Sequence, residues 1–166
     1  MSIYVVDSNF FIQAHRETYP LDVVPSFWRK VKQLAEEGRI ISIDKVKNEI
    51  FRVDDELKTW CVANLPEDFF KATLSIMASY AQVSIWAASR SGHYLPRALN
   101  EFLDAEEADA FIVAYALADA AERVIVTQEI SEPNRKNKVK IPEACNGFHI
   151  SYVNTIEMFR QLGETF

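Results

Sequence analysis

The chain is poor in the residues that build disulfide frameworks and soft-metal sites. Its two cysteines, Cys61 and Cys145, are isolated with no C-x-x-C spacing, and its three histidines, His15, His93 and His149, form no H-x-x-x-H pair. Neither a zinc site nor a disulfide framework is expected, and both cysteines read as small, partly buried apolar side chains. No apolar run is long enough to span a bilayer, and no basic segment precedes an apolar one at the N-terminus. The expectation is a soluble, cytoplasmic protein with no membrane partner.

Positive charge is also in short supply, with 18 Lys and Arg against 24 Asp and Glu, a formal net charge of −6. Phosphate contacts favour basic surfaces, so this balance is awkward for a nucleic-acid binder. Two clusters run against it: Arg29, Lys30 and Lys32 in one helical segment, and Arg135, Lys136, Lys138 and Lys140 in a polar loop between Pro133 and Pro142. Either cluster reads equally well as a solvated face. At 49% hydrophobic and 25% charged over 166 residues, the composition excludes disorder. With no repeat, low-complexity tract or linker, residues 1–166 read as a single domain.

Strands and helices alternate. Residues 3–6 and 40–43 read as buried strands, 123–127 as a third and 148–152 as a fourth, with a weak further candidate at 83–86. Pro25-Ser26 opens a helix that Gly38 stops. Asp44 is expected to cap another, with Val46, Ile50, Val53, Leu57 and Trp60 on one stripe. Helix is expected over most of 66–90, then from Pro96 to Leu103, over 106–121 and over 155–162. This alternation predicts an α/β protein, a three-layer α/β/α sandwich around a parallel sheet of four to five strands.

Apolar segments of this chain repeatedly end at, or enclose, a single carboxylate. Ile3-Tyr4-Val5-Val6 stops at Asp7, Glu49 lies beside an apolar helical stripe, Asp109 interrupts an otherwise uncharged segment from Ala108 to Ala118, and Glu129 follows Val124-Ile125-Val126. An ionised carboxylate against apolar surroundings needs a cation, a hydrogen-bond set or a raised pKa. In a parallel α/β sheet, ligands bind beyond the carboxyl ends of the strands, where all four acids are expected to meet. The resident expected there is a hard divalent ion. Each acid alone has a plainer role: Asp7 as a helix cap, Glu49 as a boundary residue, Asp109 as a helix-dipole partner, Glu129 as a loop residue. Their coincidence carries the argument.

Four segments together carry a family likeness: Tyr4-Val5-Val6-Asp7-Ser8-Asn9, Glu49, Ala108-Asp109-Ala110-Phe111-Ile112-Val113-Ala114, and Val126-Thr127-Gln128-Glu129. In this order the chain resembles the PIN domains, metal-dependent ribonucleases that include toxins of bacterial toxin–antitoxin pairs and RNA-processing nucleases. Pro25-Ser26-Phe27-Trp28 and Lys140-Ile141-Pro142-Glu143-Ala144-Cys145 resemble a less characterised PIN-like branch. The chain departs from the usual pattern at Glu129, where the family carries Asp.

The resemblance implies Mg²⁺ or Mn²⁺ as cofactor and RNA as substrate. Asp7 and Asp109 would be ligands, Glu49 would complete the cluster, and Glu129 would hold a metal-bound water or a second ion. Ser8, Asn9 and Thr127 would orient the carboxylates, and Arg135, Lys136 and Lys138 would meet substrate phosphates. An antitoxin protein and a homodimer are the partners it implies for the toxin branch. Two other classes stay open. A haloacid-dehalogenase type phosphatase would use Asp7 as nucleophile, but Asn9 stands where that scheme wants a second Asp. The other is a PIN-fold RNA- or protein-binding module with weak catalysis.

Overall fold

A computed structural model describes residues 1–166. Five parallel strands form one sheet in the order β3-β2-β1-β4-β5: β1 (Ile3–Val6), β2 (Ile40–Ile43), β3 (Phe70–Lys71), β4 (Arg123–Val126) and β5 (Tyr152–Val153). Nine helices surround it: α1 (Ser8–Gln13), α2 (Pro25–Glu36), α3 (Asp44–Phe51), α4 (Glu56–Asn64), α5 (Met77–Ser89), α6 (Pro96–Phe102), α7 (Asp109–Leu117), α8 (Ile141–Phe148) and α9 (Thr155–Leu162). The expected three-layer α/β/α arrangement is therefore the one observed.

Strand order explains the layers. The chain moves one way across the sheet from β1 to β2 to β3, then jumps back past β1 to β4 and on to β5. Right-handed crossovers place α1–α4 on one face and α5–α8 on the other. Ring contacts agree, with Phe10 and Phe159 each against Phe27 on the first face and Tyr80 stacked on Phe111 on the second. Between them lies one continuous apolar core, with β1 and β2 buried along almost their whole length. Residues 110–116 of α7 are all buried, which is why that helix shows no polar face in the sequence. No helix is long and apolar enough to cross a membrane.

Several sequence expectations need correction. The segment 66–90 is mostly helical, as expected, but the helix does not start at Pro66: Phe69 closes a turn onto Pro66, Phe70–Lys71 pairs with Ser42–Ile43 as the edge strand β3, and helix begins only at Leu74. The candidate strand at 83–86 lies inside α5, an uncharged helix whose period is masked by its small and apolar residues. The stripe from Val46 to Trp60 belongs to two helices broken at residues 52–55, and Asp55 caps the second through Lys58 N–H at 3.0 Å. Asp44 does not cap α3. It is the first residue of that helix, and its carboxylate accepts from the Thr73 N–H at 3.1 Å and hydroxyl at 2.9 Å.

The largest correction lies at residues 141–152. Pro142 opens α8 instead of closing a loop, as proline readily does in a first helical turn. The helix runs through Phe148, His149 ends it in the left-handed conformation at φ 57°, and the last strand is only Tyr152–Val153. Gly147 fits α8 against α5, since a Cβ there would stand 2.5 Å from Trp86 Nε1. Gly147→Ala is therefore expected to lower stability by about 1–2 kcal/mol, the overpacking cost exceeding the small gain in helix propensity near a helix end. Urea unfolding of the two proteins checks this, and an unchanged midpoint would mean that α8 does not pack tightly on Trp86.

Candidate functional site

The reversal of strand order falls between β1 and β4. Crevices beyond the carboxyl ends of strands at such a point are the ligand sites of open α/β sheets. β1 and β4 pair in register from Ile3↔Arg123 to Val6↔Val126, and the Asp7 N–H continues the ladder by donating to the Val126 carbonyl at 3.1 Å. Asp7 thus emerges beside Thr127. On its other side, the buried Ser42 hydroxyl donates to the Val6 carbonyl at 2.6 Å and fixes the end of β1 against β2.

Asp7 is buried, and one of its carboxylate oxygens accepts the Phe10 N–H at 2.9 Å. It is thus the N-cap of α1. Asp109 is the first residue of α7. Glu129 lies two residues beyond Thr127, whose hydroxyl accepts the Glu129 N–H at 3.1 Å. Its Oε1 stands 4.0 Å from Lys138 Nζ, while its buried Oε2 has no partner. Glu49 is fully engaged: Oε1 accepts the Ala108 N–H at 2.8 Å and Oε2 the Ser8 hydroxyl at 2.7 Å. One side chain therefore ties α1, α3 and the start of α7 together.

Asp7 and Asp109 feel the charges of the neighbouring acids. Burial first, then the charges of Glu129, Asp7 and Glu49, push the Asp109 carboxyl up to about 8, with Lys138 as a counteracting charge. Burial also pushes Asp7 up to about 7, despite hydrogen bonds from Thr127 and Phe10, and Glu129 and Glu49 add to the rise. Glu129 is raised by burial, against the pull of Lys138, Lys140 and the Ile141 N–H. Carboxylates from four separate segments thus share one neighbourhood, with Lys138 alone in ion-pair range of any of them.

Oxygen donors of this kind suit Mg²⁺ or Mn²⁺. Asp7, Asp109 and Glu129 each retain capacity, and the orphaned Glu129 oxygen is the clearest opening for a cation. They do not form a ready-made cage, since no three His, Cys, Asp or Glu side chains stand together in ion-holding geometry. Among the other expected residues, Ser8 and Thr127 do contact the acids. Asn9 is exposed and makes no hydrogen bond to any of them. Of the basic loop, Lys138 alone reaches the cluster. Arg135 pairs with Glu132 at 3.0 Å, and Lys136 is exposed. Lys140 also pairs with Glu132, at 2.8 Å.

Glu143 carries a role that its sequence position does not advertise. Buried in the first turn of α8, it accepts from the Ser131 hydroxyl at 2.5 Å and the Glu132 N–H at 2.8 Å, holding the segment that follows Glu129. The only available signal is an acid just after Pro142, where a helix start favours negative charge.

The chain belongs to the family described as Domain of unknown function (DUF4411), whose model matches residues 4–166. No curated protein and no solved structure matches it.

The raised carboxyls fix the sign of a pH effect. Asp7 and Asp109 hold protons more tightly in the fold than at their ordinary value of 3.8. Their contribution to stability is complete below that value and is lost as pH rises through about 7 and about 8. Glu164, lowered by Lys30 and Arg39, acts in the opposite sense and loses its contribution in acid. In EDTA, thermal stability should therefore peak in mildly acidic buffer and fall as pH rises toward about 8, with no further loss from these two groups above that. Asp109→Asn should flatten this fall and leave the melting temperature equal or higher at about pH 8. A large loss of stability in that variant would make Asp109 a structural acid instead.

Proposed function

We propose that this chain is a PIN-type nuclease that hydrolyses RNA phosphodiester bonds with Mg²⁺ or Mn²⁺. The observation that carries the reading is the set of carboxylates gathered at the point where strand order reverses, with Lys138 as the one cation in ion-pair range of them. Asp7, Asp109 and Glu129 are the residues that would hold the ion. A hard cation bound among them would supply a water activated for attack and would neutralise charge on the scissile phosphate.

The chain's own residues prepare for this. Thr127 and the Phe10 N–H orient Asp7, and Glu49 holds the start of α7, and with it Asp109, against α1. Lys138, 4.0 Å from Glu129, would meet a substrate phosphate once the carboxylates are neutralised. No side chain is singled out as a classical general base. A toxin role, an antitoxin partner and a homodimer remain part of the family likeness alone.

A binding module with weak catalysis is the second reading, favoured by the engagement of both Glu49 oxygens and by the absence of a ready-made cage. Calorimetry with Mn²⁺ separates the two. Asp7→Asn keeps the cap on α1, because asparagine caps as well as aspartate, while removing the charge a hard ion needs. The variant should stay folded, bind Mn²⁺ at least tenfold more weakly, and cleave single-stranded RNA orders of magnitude more slowly. Cleavage that is equal in wild type and variant, and insensitive to EDTA, would remove the nuclease reading.

A further inference from the structure

Beside the acids lies a second feature that metal chemistry does not use. An open cavity of about 650 Å³ sits at the carboxyl ends of β4 and β5, and Thr127 and Glu129 belong to its wall as well as to the acid cluster. Its size falls in the range of ~300–1,000 Å³ typical of small-molecule sites.

The charge of its lining is informative. No Lys, Arg or His faces the cavity, whereas Glu129 and Glu157 both do. An anionic group is therefore disfavoured there, and an uncharged ligand is favoured. The available hydrogen-bonding groups are amides. The Gln13 side chain makes no hydrogen bond within the protein. Asn154 uses its Oδ1 to cap α9 through the Glu157 N–H at 2.8 Å, leaving its NH₂ free. Gln128 donates to the Thr155 hydroxyl at 2.6 Å, leaving its carbonyl free. Donors and an acceptor on planar amides match the edge of a nucleobase. Half-buried Tyr152 supplies an aromatic wall, and Ile130, 76% exposed, adds apolar surface.

We propose that this cavity takes a nucleobase of a single-stranded RNA whose phosphate lies at the neighbouring acids and Lys138, an inference that rests on the nuclease reading above. Unstacked bases of single-stranded RNA are commonly recognised in this way, by an aromatic surface together with hydrogen bonds along the base edge. The division of labour follows from charge: the neutral part of a nucleotide enters the cavity, and the anionic part stays where cations gather. The site would then select among bases next to the cleaved bond.

The test titrates the full chain with adenosine, guanosine, cytidine, uridine and ribose 5-phosphate at millimolar concentration, following backbone amide resonances of residues 127–131 and 152–157. At least one nucleoside should shift these amides saturably, and ribose 5-phosphate should not. Asn154→Asp keeps the helix cap but replaces the free donor with charge, and Gln13→Ala removes the other amide. Each should weaken nucleoside binding roughly tenfold. The proposal is overturned if no nucleoside shifts these amides, if ribose 5-phosphate shifts them equally, or if both variants bind like wild type. Metal-dependent cleavage without nucleoside binding sinks the cavity proposal alone. Nucleoside binding without metal-dependent cleavage sinks the nuclease reading alone.

Discussion

The pairing of β1 with β4 is the contact on which the site depends. It joins the first strand of the chain to one that begins 120 residues later, from Ile3↔Arg123 to Val6↔Val126, and it ends with the Asp7 N–H on the Val126 carbonyl. A slip of one residue would turn Asp7 to the opposite face of the sheet and remove it from Thr127. Because both strands are buried along their upper halves, the apolar pattern of the core fixes this register, and the register brings two acidic segments side by side.

Burying those acids works against folding. Carboxyls pushed up to about 7 and about 8, by burial first and by neighbouring acids second, are groups that the fold prefers protonated, so ionising them costs stability. The surroundings hold the acids through neutral contacts: the Phe10 N–H on Asp7, the Ser8 hydroxyl and Ala108 N–H on Glu49, and Thr127 between Asp7 and Glu129. Such an arrangement is expected of a site prepared for charge that arrives from outside. Glu164, by contrast, has its own cations, Arg39 at 2.8 Å and Lys30 at 2.9 Å.

Much of this was legible in the sequence, for identifiable reasons. Residues 3–6 and 40–43 are short apolar runs followed by acids, and Gly38 takes the positive φ that ends the turn after α2. The strand preceding Glu129 and the buried helix after Ala108 follow from their uninterrupted apolar character. Other features carry no periodic signal. β3 is two residues long and exists only through its pairing with Ser42 and Ile43. A proline such as Pro142 marks a loop end or a helix start equally well, so α8 stayed hidden, and with it the role of Glu143. Helical geometry aimed Glu49 toward the cleft without revealing that Ser8 and Ala108 would occupy both its oxygens. Lys138 is one of four basic residues in its loop, and nothing local distinguishes the one that reaches Glu129.

A crystal grown with Mn²⁺ and measured at the manganese absorption edge tests the central claim most directly. The account predicts an anomalous peak about 2.1 Å from carboxylate oxygens of Asp7 and Asp109, with Glu129 bound to the ion or to one of its waters. An empty cluster in crystals saturated with the ion, with Lys138 still against Glu129, would contradict it.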